Sequence, residues 1–120
     1  MSQDLTKDEL KQLAGIAGFK KVEGRQNAFF EYWTNGQVQY IGWKPYEDLN
    51  QAFECFRGMN KGNKYSLEIM YNDFGGDEAI ECLLEPEPLN PDITYMNQII
   101  LTAAKSEALA ICKAVLEASK

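Results

Sequence analysis

The sequence predicts an α+β fold: an antiparallel sheet of two hairpins with three helices, layered as an α/β/α sandwich. Three observations predict it. Two pairs of strand-like stretches, residues 27–33 with 37–43 and 65–71 with 80–84, each flank a turn that contains glycine. Three further stretches place apolar residues at helical spacing behind a capping residue. And 120 residues, 45% apolar and 25% charged, suffice for one core without disulfide or metal staples, so residues 1–120 read as a single domain.

The first helix is predicted over Lys7 to Ala17. Thr6 and Glu9 form a capping box, and Leu10, Leu13, Ala14 and Ala17 share one face. Gly18 suits the left-handed position after the helix, with Phe19 folding back on Ala14. Lys20, Lys21 and Arg25 read as a basic connector. Asn35-Gly36 then signals a two-residue hairpin turn, which sets Trp33 opposite Val38, Glu31 opposite Tyr40 and Phe29 opposite Gly42. Pro45 bars a continuing strand. Asp48 caps a second helix with Leu49, Ala52, Phe53 and Phe56 on its buried face, ended by Gly58 to Asn63. In the second hairpin, pairing Tyr71 with Glu78 sets Ile69 opposite Ile80, Leu67 opposite Cys82 and Tyr65 opposite Leu84. All the strong apolar positions then land on one face. Pro86, Pro88 and Pro91 make residues 85–91 stiff and extended, without helix or paired strand. Residues 93–102 read as either a fifth strand or an early helix. Ser106 caps the last helix, with Ala108, Ile111, Cys112, Val115 and Ser119 on one face.

Composition excludes several function classes. Twelve Lys and Arg against 18 Asp and Glu leave a net charge of −6, which argues against direct binding of duplex nucleic acid. The chain has no His, so no Ser-His or Cys-His triad exists. No apolar run is long enough to span a bilayer, and no signal segment is visible at Met1 to Leu10, so the expected location is the cytoplasm with no membrane partner. Cys55, Cys82 and Cys112 are dispersed, which predicts three reduced thiols and no metal. Cys82 and Cys112 fall on apolar faces, leaving Cys55 as the one thiol expected to be exposed. The loop Asn72 to Glu78 lacks the spacing of a calcium loop. No cofactor motif is present, and the chain reads as non-enzymatic.

Two stretches carry a family resemblance. One is Trp43-x-Pro45-x-x-Asp48-x-x-x-Ala52 ahead of a helix and a hairpin. The other is Ser106-x-Ala108-Leu109-Ala110-Ile111-Cys112-Lys113-Ala114 in the last helix. Over residues 38–118 the chain resembles the phage ABA sandwich domain family. The family usually has Ser after the proline, where this chain has Tyr46, and residues 86–91 look inserted relative to it. The resemblance implies an α/β/α layered fold and a phage or prophage origin. It implies no activity and no functional residue.

Two surfaces are candidates for function. From Tyr65 to Ala104 there is no Lys or Arg, while the same stretch holds eight carboxylates. Asp73, Asp77, Glu78, Glu85, Glu87 and Asp92 are the expected contacts for a host protein with a basic surface. The prolines pre-order part of this surface, which lowers the entropic cost of binding. The second candidate is aromatic: Trp33, Tyr40, Trp43 and Tyr46, as an interface or ligand surface if they are not core. The resulting expectation is a phage or prophage accessory protein that binds and modulates or inhibits a host protein, with a defence system as one target. The alternative is a binding protein that sequesters a nucleotide signal. Surplus aromatic surface on the first hairpin further predicts a homodimer.

Overall fold

The computed structural model describes residues 5–22, 31–61, 65–72, 79–86 and 99–119. Along the chain run α1 (Lys7–Ala17), β1 (Lys20–Lys21), β2 (Tyr32–Thr34), β3 (Gln39–Ile41), α2 (Leu49–Met59), β4 (Tyr65–Tyr71), β5 (Ile80–Pro86), β6 (Ile100–Ala104) and α3 (Glu107–Ala118). The strands form two three-stranded antiparallel sheets, a small one ordered β1-β2-β3 and a large one ordered β4-β5-β6. The fold is therefore α+β, with three helices among the described residues, as the sequence predicts. Its two hairpins lie in separate sheets rather than in one.

Each helix begins where a side chain caps it. Thr6 Oγ1 accepts from the Glu9 amide at 3.1 Å while Glu9 Oε1 accepts from the Thr6 amide at 2.9 Å. Asp48 Oδ1 accepts from the amides of Asn50 and Gln51, and Ser106 Oγ from that of Leu109. Gly18 ends α1 at φ 79°, in the left-handed region that only glycine enters freely, and the Phe19 amide bonds back to Ala14 O at 2.8 Å.

The most buried element is α3. Eight of its 12 residues are buried, including Leu109, Ile111, Cys112 and Val115. A helix apolar on all sides needs neighbours on all sides. Here α2 and α1 pack against α3 from one direction and β5 and β6 from another. The large sheet gives Cys82, Leu84 and Ala104 to this core, each fully buried. Thr102 and Lys113 stitch the seam, donating to Ala110 O at 2.7 Å and Ala103 O at 3.2 Å. Between α1 and α2 the backbones approach closely at Gly58, where an added Cβ would sit 2.2 Å from Ile16 O. Gly58 is thus a helix-crossing residue within α2, which continues to Met59, and not the helix stop that the sequence predicts.

Both hairpin registers differ from expectation by two residues in the same direction. In the first, Trp33 lies opposite Tyr40 and Thr34 opposite Gln39, which leaves four residues in the turn. Asn35 Oδ1 accepts from the amides of Gln37 and Val38, and Thr34 Oγ1 donates to Val38 O. These side chains close a wider turn than the backbone of Asn-Gly alone would. In the second, Tyr71 lies opposite Ile80, Ile69 opposite Cys82 and Leu67 opposite Leu84. Because side chains alternate with period two, an offset of two leaves the paired residues on their predicted faces. Trp43, which the strand pattern sets on the face of Tyr32 and Ile41, instead follows Gly42 at φ 81° and packs on the Trp33 side. The predicted Phe29 to Gly42 pairing and the tip residue Glu78 lie outside the described residues.

Two other expectations are corrected, and one open alternative is settled in favour of a strand. Lys20 and Lys21 are not a connector but an edge strand paired with Thr34 and Trp33. Glu85 and Pro86 pair with Ser66 and Tyr65, so the paired strand reaches the first proline; at the strand's last position a proline forfeits little. Within 93–102, residues 100–102 belong to strand β6, while 93–98 lie outside the described residues.

Candidate functional site

The ring cluster of the first hairpin is mostly core. Phe19 stacks on Trp43 with centroids 5.0 Å apart and on Tyr40 at 5.5 Å, and Trp33 meets Trp43 at 6.0 Å. Trp43 is buried, and its Nε1 donates to Leu10 O at 3.0 Å, which pins the small sheet to α1. Pro45 is fully buried and Tyr46 is half-buried, its carbonyl facing the Ser106 hydroxyl at 3.5 Å. The Trp-x-Pro stretch is thus a buried corner. Burial raises the pKa of the half-buried Tyr40 phenol, helped by the carboxylates of Glu54 and Asp48.

The corner is held by one buried polar side chain that the sequence reading missed. Gln51, 3% exposed, accepts from the Lys44 amide at 2.7 Å and donates to Gly42 O at 3.1 Å. It therefore satisfies the backbone of a connector that belongs to neither sheet nor helix. Its signal in sequence was its position, one turn into a helix whose predicted apolar face excluded it.

Trp33 is not fully absorbed into the core. With Lys7, Leu10, Lys11, Glu31 and Trp43 it lines a groove of about 330 Å³ between the first turns of α1 and strand β2. Its Nε1 is buried and has no hydrogen-bond partner among the described residues. Glu31 at the rim is paired with Lys21 at 3.2 Å. Of the four aromatic candidates, Trp33 and Trp43 meet at this groove, and Tyr40 and Tyr46 do not line it.

The acidic candidates fare differently. Asp73, Asp77, Glu78, Glu87 and Asp92 lie outside the described residues. Glu85 is exposed on β5, on the face of the large sheet turned away from α3. Alternation puts Ser66, Glu68, Met70, Glu81, Leu83, Leu101 and Ala103 on the same face. Glu68, Leu83 and Leu101 stand in one cross-strand row, and Met70, Glu81 and Ala103 in the next. Leu101 is 55% exposed. This face thus combines carboxylates with apolar side chains. Glu68 and Glu81 join the candidate surface through the register.

The three thiols converge. Cys55 on α2, Cys82 on β5 and Cys112 on α3 are all free and fully buried. The expectation of an exposed Cys55 is overturned, because α2 is covered by both α1 and α3 and its buried face centres on Gln51, Ala52 and Cys55. Leu49, predicted as buried, is 42% exposed. The Cys55 thiol points at Leu13 O, 3.9 Å away. Burial pushes the Cys82 thiol up to about 12. A hydrogen bond to Cys55, then burial, then the neighbouring Cys55 and Cys82 raise Cys112 far above the ordinary range. At neutral pH Cys82 and Cys112 are protonated, the form that neither attacks nor ligates. Among the described residues no group of His, Cys, Asp or Glu is arranged to hold a metal ion. No described helix is long and apolar enough to cross a membrane.

Comparison of the chain with protein-family models, with curated proteins and with solved structures found no match.

Proposed function

We propose that the chain is a non-enzymatic accessory protein of phage or prophage origin, acting in the host cytoplasm. It binds and modulates or inhibits a host protein with a basic surface, a component of a defence system being the target class. The resemblance of residues 38–118 carries the phage origin. The binding mode rests on one observation: the face of the large sheet turned away from α3 bears Glu68, Glu81 and Glu85 among half-buried Met70 and Leu83 and exposed Leu101, within 40 residues that lack any Lys or Arg. Exposed apolar groups give such a face contact area, and its uniform charge selects and steers a cationic partner. Asp73, Asp77, Glu78, Glu87 and Asp92 extend the same charge along the chain. Duplex nucleic acid and membranes are not partners in this reading.

The test is capture from lysate of an infected host by wild type and by Glu68→Lys with Glu85→Lys, at low and high salt. The double reversal is expected to lower capture of the wild-type partner about tenfold at low salt, a difference of about 1.4 kcal/mol. The gap should narrow at high salt. Equal capture would show that the carboxylates serve solubility alone.

A homodimer belongs to the same reading. Ile41, 61% exposed, and Tyr32 lie on the small-sheet face turned away from the ring cluster, where two copies would cover each other. A monomer mass by light scattering at every concentration would remove this part. A second reading, sequestration of a nucleotide signal, is favoured by the groove at Trp33.

A further inference from the structure

The groove between α1 and β2 has the size and chemistry of a small-ligand site. Its volume of about 330 Å³ lies within the range of about 300–1,000 Å³ usual for such sites. Its apolar surface comes from Leu10, Trp33 and Trp43. The Trp43 ring is immobilised by the bond from its Nε1 to Leu10 O, so part of the groove wall is already ordered before anything binds.

The charge beside the groove is local. Lys7 and Lys11 stand one turn apart on α1 and both line the groove. Like charges at this spacing repel and destabilise a helix. Neither has a salt bridge among the described residues. Among the described lining residues the one carboxylate is Glu31, which is engaged by Lys21. In a chain of net charge −6, this leaves a cationic wall facing two indole rings. The buried Nε1 of Trp33 adds a donor with no acceptor among the described residues, and a buried N–H without an acceptor calls for a partner.

We infer that this groove binds a planar aromatic ring carrying one anionic group, with the ring against Trp33 and Trp43 and the anion toward Lys7 and Lys11. This rests on the ligand-binding reading of the groove and narrows it to a chemical class. Aromatic carboxylates and nucleoside monophosphates share that chemistry. The acidic sheet face plays no part in it.

The protein's two tryptophans both line the groove, so its intrinsic tryptophan fluorescence reports this site. The experiment titrates the full chain with benzoate, benzamide, adenosine monophosphate and adenosine, in parallel with thermal shift. At least one anion is expected to give a saturable change and to bind at least about tenfold more tightly than its neutral counterpart. Which anion does so separates the two sources. Lys7→Gln with Lys11→Gln, both exposed, should abolish that preference while leaving the melting temperature of the free protein near wild type. Trp33→Phe, which removes the donor, should weaken binding several-fold. If neutral and anionic forms bind alike, or the double lysine variant keeps the preference, the inference is overturned and the groove remains only an apolar site. If none of the four changes the signal into the millimolar range, the ligand-binding reading falls as well.

Discussion

The small and large sheets have the same number of strands and the same antiparallel order, yet the helices hold them in opposite ways. The large sheet is fused to α3 through its own strand residues, Cys82, Leu84 and Ala104, all fully buried. The small sheet has no fully buried strand residue; its strands are half-buried or exposed throughout. It is held from outside its strands, by Phe19 after α1, Trp43 after β3 and the Gln51 clamp. The lesson concerns cooperativity. A sheet whose own side chains build the core opens only with the core, whereas a sheet attached through rings and one amide has a route to open alone.

Four experiments break or sharpen that contrast, in order of expected effect. Ile111→Ala, at the fully buried centre of α3, should cost about 3–4 kcal/mol. The denaturant midpoint should fall, with far-ultraviolet and tryptophan signals moving together. If the tryptophan signal kept its wild-type midpoint, the small sheet would fold independently of the helices. Native-state hydrogen exchange should place the amides of β2 and β3 about 2 kcal/mol or more below those of β5 in opening free energy. Equal values would erase the contrast. Gln51→Ala strips the Lys44 amide of its acceptor and Gly42 O of its donor, at a cost of about 1–2 kcal/mol. The loss should appear as faster exchange in β3 with β5 amides shifted only by the global change.

The smallest effect lies on the large sheet. Tyr71 donates its hydroxyl to Glu107 Oε2 at 2.8 Å on the protein surface. The Glu107 carboxyl is lowered first by its own backbone amide and then by this hydroxyl, and the Tyr71 phenol is raised chiefly by the same bond. A lowered carboxylate stabilises the fold above its unfolded value and loses that contribution as pH falls through its folded value. A raised phenol contributes below its unfolded value and loses it as pH rises through its folded value. Tyr71→Phe should therefore be slightly less stable than wild type in the neutral range and equal to it at both extremes. A pH-independent difference, measured by denaturant midpoints, would show that the ring's packing matters and the bond does not.

How much was legible in the sequence follows the range of the forces involved. Thr6, Asp48 and Ser106 cap the three helices as predicted, because a cap depends on residues two or three positions away. Face parity of the paired strand residues was legible from alternation alone; that of Trp43 was not, because Gly42 at φ 81° turns the chain just after β3. Register was not, since Asn35 and Thr34 close the first turn with side-chain bonds that the Asn-Gly signal does not encode. The buried face of α2 was misplaced because two helices cover it, so Cys55 and Gln51 are buried where a one-sided helix would expose them. The pairing of Lys20 and Lys21 was hidden by their charge, which an edge strand tolerates. For the candidate sites, the acidic stretch was evident as composition. The cross-strand row of Glu68, Leu83 and Leu101, and the meeting of Lys7 and Lys11 with Trp33, exist only once distant elements are brought together.

The helix crossing at Gly58 limits how this sequence can drift. Any side chain there meets the carbonyl of Ile16, a backbone atom that cannot rotate aside, so the position admits a single letter. Gly15, in α1, has nothing within 4 Å of where a Cβ would stand, and alanine there would be accepted and would favour the helix. Descendants of this chain are therefore expected to vary freely at 15 and to hold glycine at 58. A lineage that changes 58 would have to move α1 away from α2, and with it the lysines that face the two tryptophans.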